Sequence, residues 1–324
     1  MGLLLFVAGC GVSSSDETPQ GQDGNSSGIS SNASQIVYSK ATDSEVLAPD
    51  DVLLPSDADI HIVDVETGED RALTSGAGID DMPVVSSDGN SVFFSRTELG
   101  GRYPPGSSLY KVDLSGGEAE QITDCRPPDC LRDTVPAISP AGELWFTRLD
   151  PGGVDVRMLK INLDSGLEEN VDVPPGFFFS SSPVWRTDED KLIWGRSKGK
   201  AMGQYQLDDG NAVSRYAVCV RERCGRSISF SLNGALAFTD ARQTSVTFMN
   251  AESTSTSDRI FECDDQGHQR CPISVDLSGN GDQLAVGTSD KTGVDGVISV
   301  FDTETGKVVF SSDGPNDRNP SWLP

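Results

Sequence analysis

The sequence predicts an all-β chain, a six-bladed β-propeller closed by pairing of its N- and C-terminal strands. Three observations predict it. Apolar residues alternate at period two through short segments separated by Gly, Pro, Asn and Asp turns. One short apolar element returns six times at nearly constant spacing. The one piece missing from the last repeat stands near the front of the chain.

The template repeat is "DIHIVDVETGEDRALT" followed by "SGAGIDDMPVVSSDGNSVFFSR". It reads as strand, Gly turn, strand, loop, strand, Asp-Gly turn, strand. Its first recurring element starts at Pro83, Pro136, Pro183, Ile228, Ile273 and Pro320, at intervals of 53, 47, 45, 45 and 47 residues, with a large apolar residue two positions on. The second element follows the first five as Val92-Phe-Phe94, Leu144-Trp-Phe146, Leu192-Ile-Trp194, Leu236-Ala-Phe238 and Leu284-Ala-Val286. The chain ends at Pro324 before a sixth copy, and Ile36-Val-Tyr38 supplies it. The third element, such as Ile62-Val-Asp64 or Val300-Phe-Asp302, carries Gly four residues after its polar anchor at Gly68, Gly117, Gly166, Gly210 and Gly306, with Thr254 in the other copy. Six four-stranded units with the last shared between the termini describe a closed ring, because an open one would expose two apolar sheet faces.

These units resemble the TolB-type propeller repeat through Asp59, Ile60, Asp64, Leu73-Thr74, Pro83, Ser86, Asp88-Gly89 and Phe94. The resemblance covers about residues 35 to 324. It is specific for fold and weak for function, because propellers host many activities. By analogy it implies contacts with other envelope proteins.

The chain has 324 residues, with 25 basic against 50 acidic side chains and a net charge of −25. That length suits two small domains or one large repetitive β domain. The charge argues against a nucleic-acid partner, which is bound through Lys and Arg. No run approaches the roughly 18 apolar residues of a membrane-spanning helix.

Residues 2–9 are apolar and end in Val7-Ala8-Gly9-Cys10, which resembles the lipobox of bacterial lipoproteins. The resemblance implies cleavage before Cys10 and acylation (palmitate among the chains) at that residue. No basic segment precedes it and the run is short for a signal peptide of about 15–30 residues, so a true start upstream is expected. Gly11 to Ser34 holds neither aromatic nor basic residues and is too polar to build a core. The expected organisation is a signal peptide over 1–9, a lipidated cysteine and tether over 10–34, and the propeller over 35–324. Gly11 after Cys10 suggests outer-membrane sorting, facing the periplasm or the cell surface.

Removing Cys10 leaves three neat cysteine pairs, Cys125 with Cys130, Cys219 with Cys224 and Cys263 with Cys271. Each falls in the connection from the outermost strand of one blade to the innermost strand of the next. Disulfides fit an oxidising periplasm. The rival is metal binding with His268, but zinc-binding cysteine pairs are usually spaced by two residues, and these are spaced by four or seven. The loops also carry Arg126, Arg132, Arg221, Arg223, Arg226 and Arg270. Arg is favoured at binding hot spots, so these are the candidate partner-binding residues; the alternative is that they balance nearby carboxylates.

Little points to catalysis. Gly195-Arg-Ser197-Lys-Gly199 matches G-x-S-x-G, yet it ends a strand with no helical pattern after it. His61 reads as packed or surface. Asp80-Asp81, Asp188-Glu189-Asp190 and Asp264-Asp265 could suit calcium, but solvated turn residues are the simpler reading. Phe177, Phe178 and Phe179 form an exposed patch or a rim plug. Trp145, Trp185, Trp194 and Trp322 read as core. The expectation is a protein-binding module of the cell envelope with no enzyme activity, no metal and no cofactor. The alternatives are a propeller enzyme of lactonase or glycan-lyase type and a small-ligand or metal sensor.

Overall fold

A computed structural model describes residues 34–41, 46–47, 54–55, 57–98, 106–126, 128–151, 156–171, 184–186, 191–198, 201–208, 212–216, 219–220, 223–224, 227–240, 243–249, 258–263, 270–289, 296–314 and 316–324. These include β1 (Gln35–Ala41), the short pair β2 (Val46–Leu47) and β3 (Leu54–Pro55), then β4 (Ala58–Asp64) and β5 (Asp70–Ala72). The next group is β6 (Ile79–Val85), β7 (Ser91–Thr97), β8 (Ser107–Asp113) and β9 (Glu120–Gln121). It is followed by β10 (Arg132–Ile138), β11 (Leu144–Leu149), β12 (Val156–Asn162) and β13 (Leu167–Val171). Then come β14 (Val184–Arg186), β15 (Lys191–Lys198), β16 (Ala201–Asp208) and β17 (Ala212–Tyr216), with the hairpin β18 (Cys219–Val220) and β19 (Arg223–Cys224). The last groups are β20 (Ile228–Phe230), β21 (Leu236–Thr239), β22 (Ser245–Met249) and β23 (Asp258–Glu262), and β24 (Cys271–Leu277), β25 (Gln283–Ser289), β26 (Gly296–Asp302) and β27 (Val308–Ser311). β28 (Arg318–Trp322) ends the chain.

Within each group the strands pair antiparallel in chain order. β28 pairs antiparallel with β1, Ile36 opposite Trp322 and Val37 opposite Ser321. β1 continues into β4 and β4 into β5. The C-terminal strand is thus the innermost strand of a sheet whose other three strands come from the N-terminal part. The innermost strands touch in the order β28, β6, β10, β14, β20, β24 and back to β28.

The core lies between the sheets, and period two explains it. Ile36 and Tyr38 pack one way, against Ala285, Ile298 and Val300, while Val37 packs the other way, against Val85, Val92 and Phe94. Phe93 likewise faces Leu144, Phe146 and Leu159, opposite to Phe94. A strand buried on both faces needs consecutive apolar residues, which is why the second element of each repeat reads as an apolar triplet.

The polar anchor and its glycine form one turn. Asp64 Oδ1 accepts from the backbone N–H of Glu66 and Thr67, and Asp302 Oδ1 accepts from that of Thr305. Gly68 and Gly306 then adopt φ of +74° and +67° with nothing near a would-be Cβ. The requirement there is conformational rather than spatial.

Candidate functional site

The inner strands open on a segment that recurs three times, Asp80-Asp-Met-Pro83, Asp133-Thr-Val-Pro136 and Asp317-Arg-Asn-Pro320. Proline cannot donate to a strand ladder, and each copy answers with a bulge. Met82-Pro83 together oppose Phe94, Val135-Pro136 oppose Phe146 and Asn319-Pro320 oppose Tyr38. The residue before each proline is left-handed, with φ of 55° at Met82, 53° at Val135 and 52° at Asn319. That conformation is costly for a β-branched Val. The surrounding ladder and ion pairs hold it in place.

The first aspartate of each copy is buried. Asp80 takes a two-pronged bond from Arg96 on β7, with Nε at 2.6 Å and Nη2 at 2.7 Å. Asp133 takes the same fork from Arg148 on β11, both contacts at 2.7 Å. These arginines also lie over Phe94 and Phe146, and the hydrogen bonds that Arg148 donates to Asp133 push its guanidinium above its ordinary pKa. In the third copy Lys40 replaces arginine and bonds Asp70 at 2.7 Å. Asp317 keeps the Gly314 N–H, its Oδ1 has no hydrogen-bond partner among the described residues, and burial raises its pKa. Hydroxyls of the preceding sheet latch onto the same segment: Ser39 donates to the Asp80 carbonyl at 2.6 Å and Ser95 to that of Asp133 at 2.9 Å. Between the first and third copies, Asp81 accepts from Asn319 Nδ2 at 2.8 Å and faces Arg318 Nη2 at 3.3 Å.

Beyond these bulges the six inner strands enclose a central cavity of about 300 Å³. Each strand contributes to its wall, as with Val84, Ile138, Trp185, Phe230, Val275 and Trp322. Among the described lining residues Asp276 is the one ionisable side chain. Its carboxylate accepts from Ser229 Oγ at 2.6 Å and from the Trp322 backbone N–H at 2.8 Å, while Trp322 Nε1 donates to its carbonyl at 3.0 Å. Asp276 therefore ties three inner strands, β20, β24 and β28. Burial pushes its pKa up to about 6 against those hydrogen bonds.

Cys125–Cys130 and Cys263–Cys271 are disulfides, with Cα atoms 5.1 and 5.4 Å apart. Both close outer-to-inner connections, at β9–β10 and β23–β24, as the repeat predicts. Cys219 and Cys224 stand opposite one another in the β18–β19 hairpin, and their side chains lie outside the described residues. The buried Asp133 sits beside the first disulfide, with Cys130 Sγ 3.5 Å from its Oδ1. Replacing Cys125 and Cys130 together by serine is expected to cost about 2 kcal/mol on the loop-entropy account, read as a lower urea midpoint; an unchanged midpoint would contradict that account.

The arginines divide. Arg126 is well exposed and pairs with Asp124 at 2.6 Å. Arg270 is exposed and has a partner. Arg132 is half-buried on β10, and its Nε is enclosed without a hydrogen-bond partner among the described residues. The side chains of Arg221, Arg223 and Arg226 lie outside the description, as do Cys10, Ser197, His268, Phe177 to Phe179, Trp194, the 188–190 cluster and Asp264-Asp265. Asp80-Asp81 corrects the reading of solvated turn residues: both lie on β6 and are engaged in ion pairs, because the bulge brings basic side chains of neighbouring strands onto them. Trp185 is likewise half-buried against Trp145 on the cavity wall rather than in the core. His61 is half-buried on β4 and bonds Asp70 at 3.0 Å. Sequence reasoning missed Arg96, Arg148 and Asp276. An aspartate three residues before the inner-strand proline was the available signal for the first two.

No protein-family model matches the chain. An uncharacterized protein of Agrobacterium fabrum is 30% identical over 146 residues, which is 43% of this chain and 47% of that protein, so the chain spans about half the length of that relative. TolB from Acinetobacter baumannii superposes with a TM-score of 0.64 at 18% identity, over 90% of this chain and 67% of that one. A chain of the nidogen/laminin complex gives 0.62 at 13% identity, over 89% and 97%. Virginiamycin B lyase from Staphylococcus aureus gives 0.50 at 13% identity, over 86% and 88%. The fold is thus a TolB-like β-propeller; at these identities the likeness is one of architecture.

Proposed function

We propose that this chain is a protein-binding module of the bacterial cell envelope, held by acylation at Cys10 and engaging its partner with the disulfide-clamped end. The observation that carries this reading is the placement of Cys125–Cys130 and Cys263–Cys271 in equivalent connections at one end of the inner strands. Disulfides persist in oxidising compartments, and a stiffened loop loses less entropy on binding. Gln35 lies at the opposite end, where its carbonyl accepts from Leu323 N–H. A tether entering there leaves the clamped end free. The TolB-like fold is compatible with the reading, and so is the protein complex in which the nidogen-type propeller was crystallised.

The test is a photo-crosslinking side chain at Arg126 or Arg270 in native envelopes, with Leu232 at the other mouth of the cavity as control. A discrete protein adduct from the clamped end, absent at Leu232, is expected. Equal yields at both ends would overturn the orientation, and a Cys10→Ala protein that stays with the membrane would overturn the anchor. The central cavity favours a second reading, small-ligand sensing. That reading requires a ligand-dependent rise in melting temperature, removed by narrowing the cavity with Ala137→Leu.

A further inference from the structure

Six strands, β5, β9, β13, β17, β23 and β27, are outermost in their sheets. Open strand edges invite pairing, and charged side chains are a common protection. Five of the six carry them: Asp70 and Arg71, Glu120, Glu168 and Glu169, Arg215, and Asp258, Arg259 and Glu262. β27, Val308-Val-Phe-Ser311, carries none. Val308 and Val309 are 54% and 48% exposed. A bulge between Val300 and Phe301 shifts the register with β26, so both adjacent valines reach solvent. Phe310 packs inward against the cluster of Tyr38 and Val300. The strand is thereby pinned from within while its other edge pairs with no strand among the described residues. Its borders are acidic: Glu304 is exposed, and the Asp313 side chain is 96% exposed although Lys40 Nζ lies 3.7 Å from it, with Lys307 the other cation beside the strand.

We propose that the outer edge of β27 is a second docking surface, one that takes an extended segment of a partner protein as a fifth strand. The chemistry that fits is a run of β-branched residues bordered by Lys or Arg. Backbone pairing supplies the contact, the valines supply side-chain packing, and the acidic borders select the flanking cations. A second copy of this chain fits less well. In an antiparallel β27–β27 pair the Glu304 border of one copy would meet the Asp313 border of the other, between bodies of net charge −25 each. The surface runs along the β27 edge and only its Asp313 border reaches the end that carries the cysteine loops, so its failure leaves the loop-end reading standing.

The probe is a synthetic peptide of alternating valine and threonine with lysine at both ends, followed by fluorescence anisotropy with the full chain at low salt. Binding is expected, weakening with salt, and hydrogen exchange of residues 308–311 should slow. Val308→Lys combined with Val309→Lys should raise Kd about tenfold or more at unchanged melting temperature, while Glu120→Lys on β9 should leave it within about twofold. Exchange on the unmodified protein decides the matter if the double variant fails to fold. No binding up to millimolar peptide, no slowing at 308–311, or equal binding of a backbone N-methylated peptide would each overturn the proposal. A dimer that the double variant dissociates would replace the partner segment with a second copy.

Discussion

Replacing Arg148 by methionine is expected to lower stability by about 3–5 kcal/mol, a loss large enough to unfold many domains of ordinary stability. Asp133 is 0% exposed and its two carboxylate oxygens take the Arg148 fork at 2.7 Å each. Arg148 also bonds Glu168 at 2.6 and 3.0 Å. Methionine keeps much of the packing over Phe146 but leaves a buried carboxylate without its cation. The cost is that uncompensated charge rather than the net worth of the pair. Arg148→Met combined with Asp133→Leu should therefore recover most of the loss, because a buried pair exchanged whole for apolar groups is often neutral. Arg148→Lys should fall between, keeping the charge and losing the fork. Lys40→Met should cost less than Arg148→Met, since Asp70 is a quarter exposed and can be solvated. Urea midpoints at constant m-value measure all four. A loss below about 1 kcal/mol for Arg148→Met would show that water reaches Asp133.

The architecture was legible because it rests on local periodicity and on one piece of arithmetic. Each apolar triplet, such as Val92-Phe-Phe94, reports burial on both faces without any knowledge of the neighbours. The missing sixth element reports the pairing of Ile36 with Trp322, found where the repeat count places it. The disulfides Cys125–Cys130 and Cys263–Cys271 were legible for the same reason, since both partners stand in one loop. Asp80, Asp133 and Asp276 were not. Their partners lie on other strands: Arg96 and Arg148 follow at a distance set by hairpin length, and the ties of Asp276 come from residues 46 and 47 positions away. Asp80-Asp81 misled because two adjacent acids look solvated in sequence, and only the bulge before Pro83 reveals why the strand holds both. The exposure of Val308 and Val309 escaped notice too, because β27 has the composition of a buried strand and only its outermost position makes those valines unusual.

Acidification from pH 7 to about pH 5 is expected to stabilise the protein, with Asp276 a principal contributor. Its folded pKa, about 6, lies above the ordinary aspartate value of 3.8. Between those values the folded state holds the proton more firmly than the unfolded chain does. Stability therefore falls as pH rises from about 4 to 6, by on the order of 3 kcal/mol for a shift of this size. Asp59, also raised to about 6 by burial and by Asp80, adds in the same window, and Asp317, raised by burial, adds with the same sign. Below it the sign reverses, because hydrogen bonds from Ser86 and Asn90 lower Asp88 to about 2, and that stabilisation is lost as pH falls from 4 toward 2. Asp276→Asn separates the contributions. The amide can turn its oxygen to the Trp322 N–H and its NH2 to Ser229 Oγ, so the inter-strand tie survives while the titration is gone. Its melting temperature should match or exceed that of the parent protein at pH 7, and the slope between pH 4 and 6 should fall by the share Asp276 supplies, leaving that of Asp59. Asp276→Ala removes the titration too, but should lower stability by about 2–4 kcal/mol already at pH 7 and by more at pH 4, leaving the Trp322 N–H unsatisfied. It should also speed hydrogen exchange at 318–323, since β28 loses a tie to β24. If Asp276→Asn keeps the full slope, the proton is taken up elsewhere, and Asp59 becomes the next residue to replace.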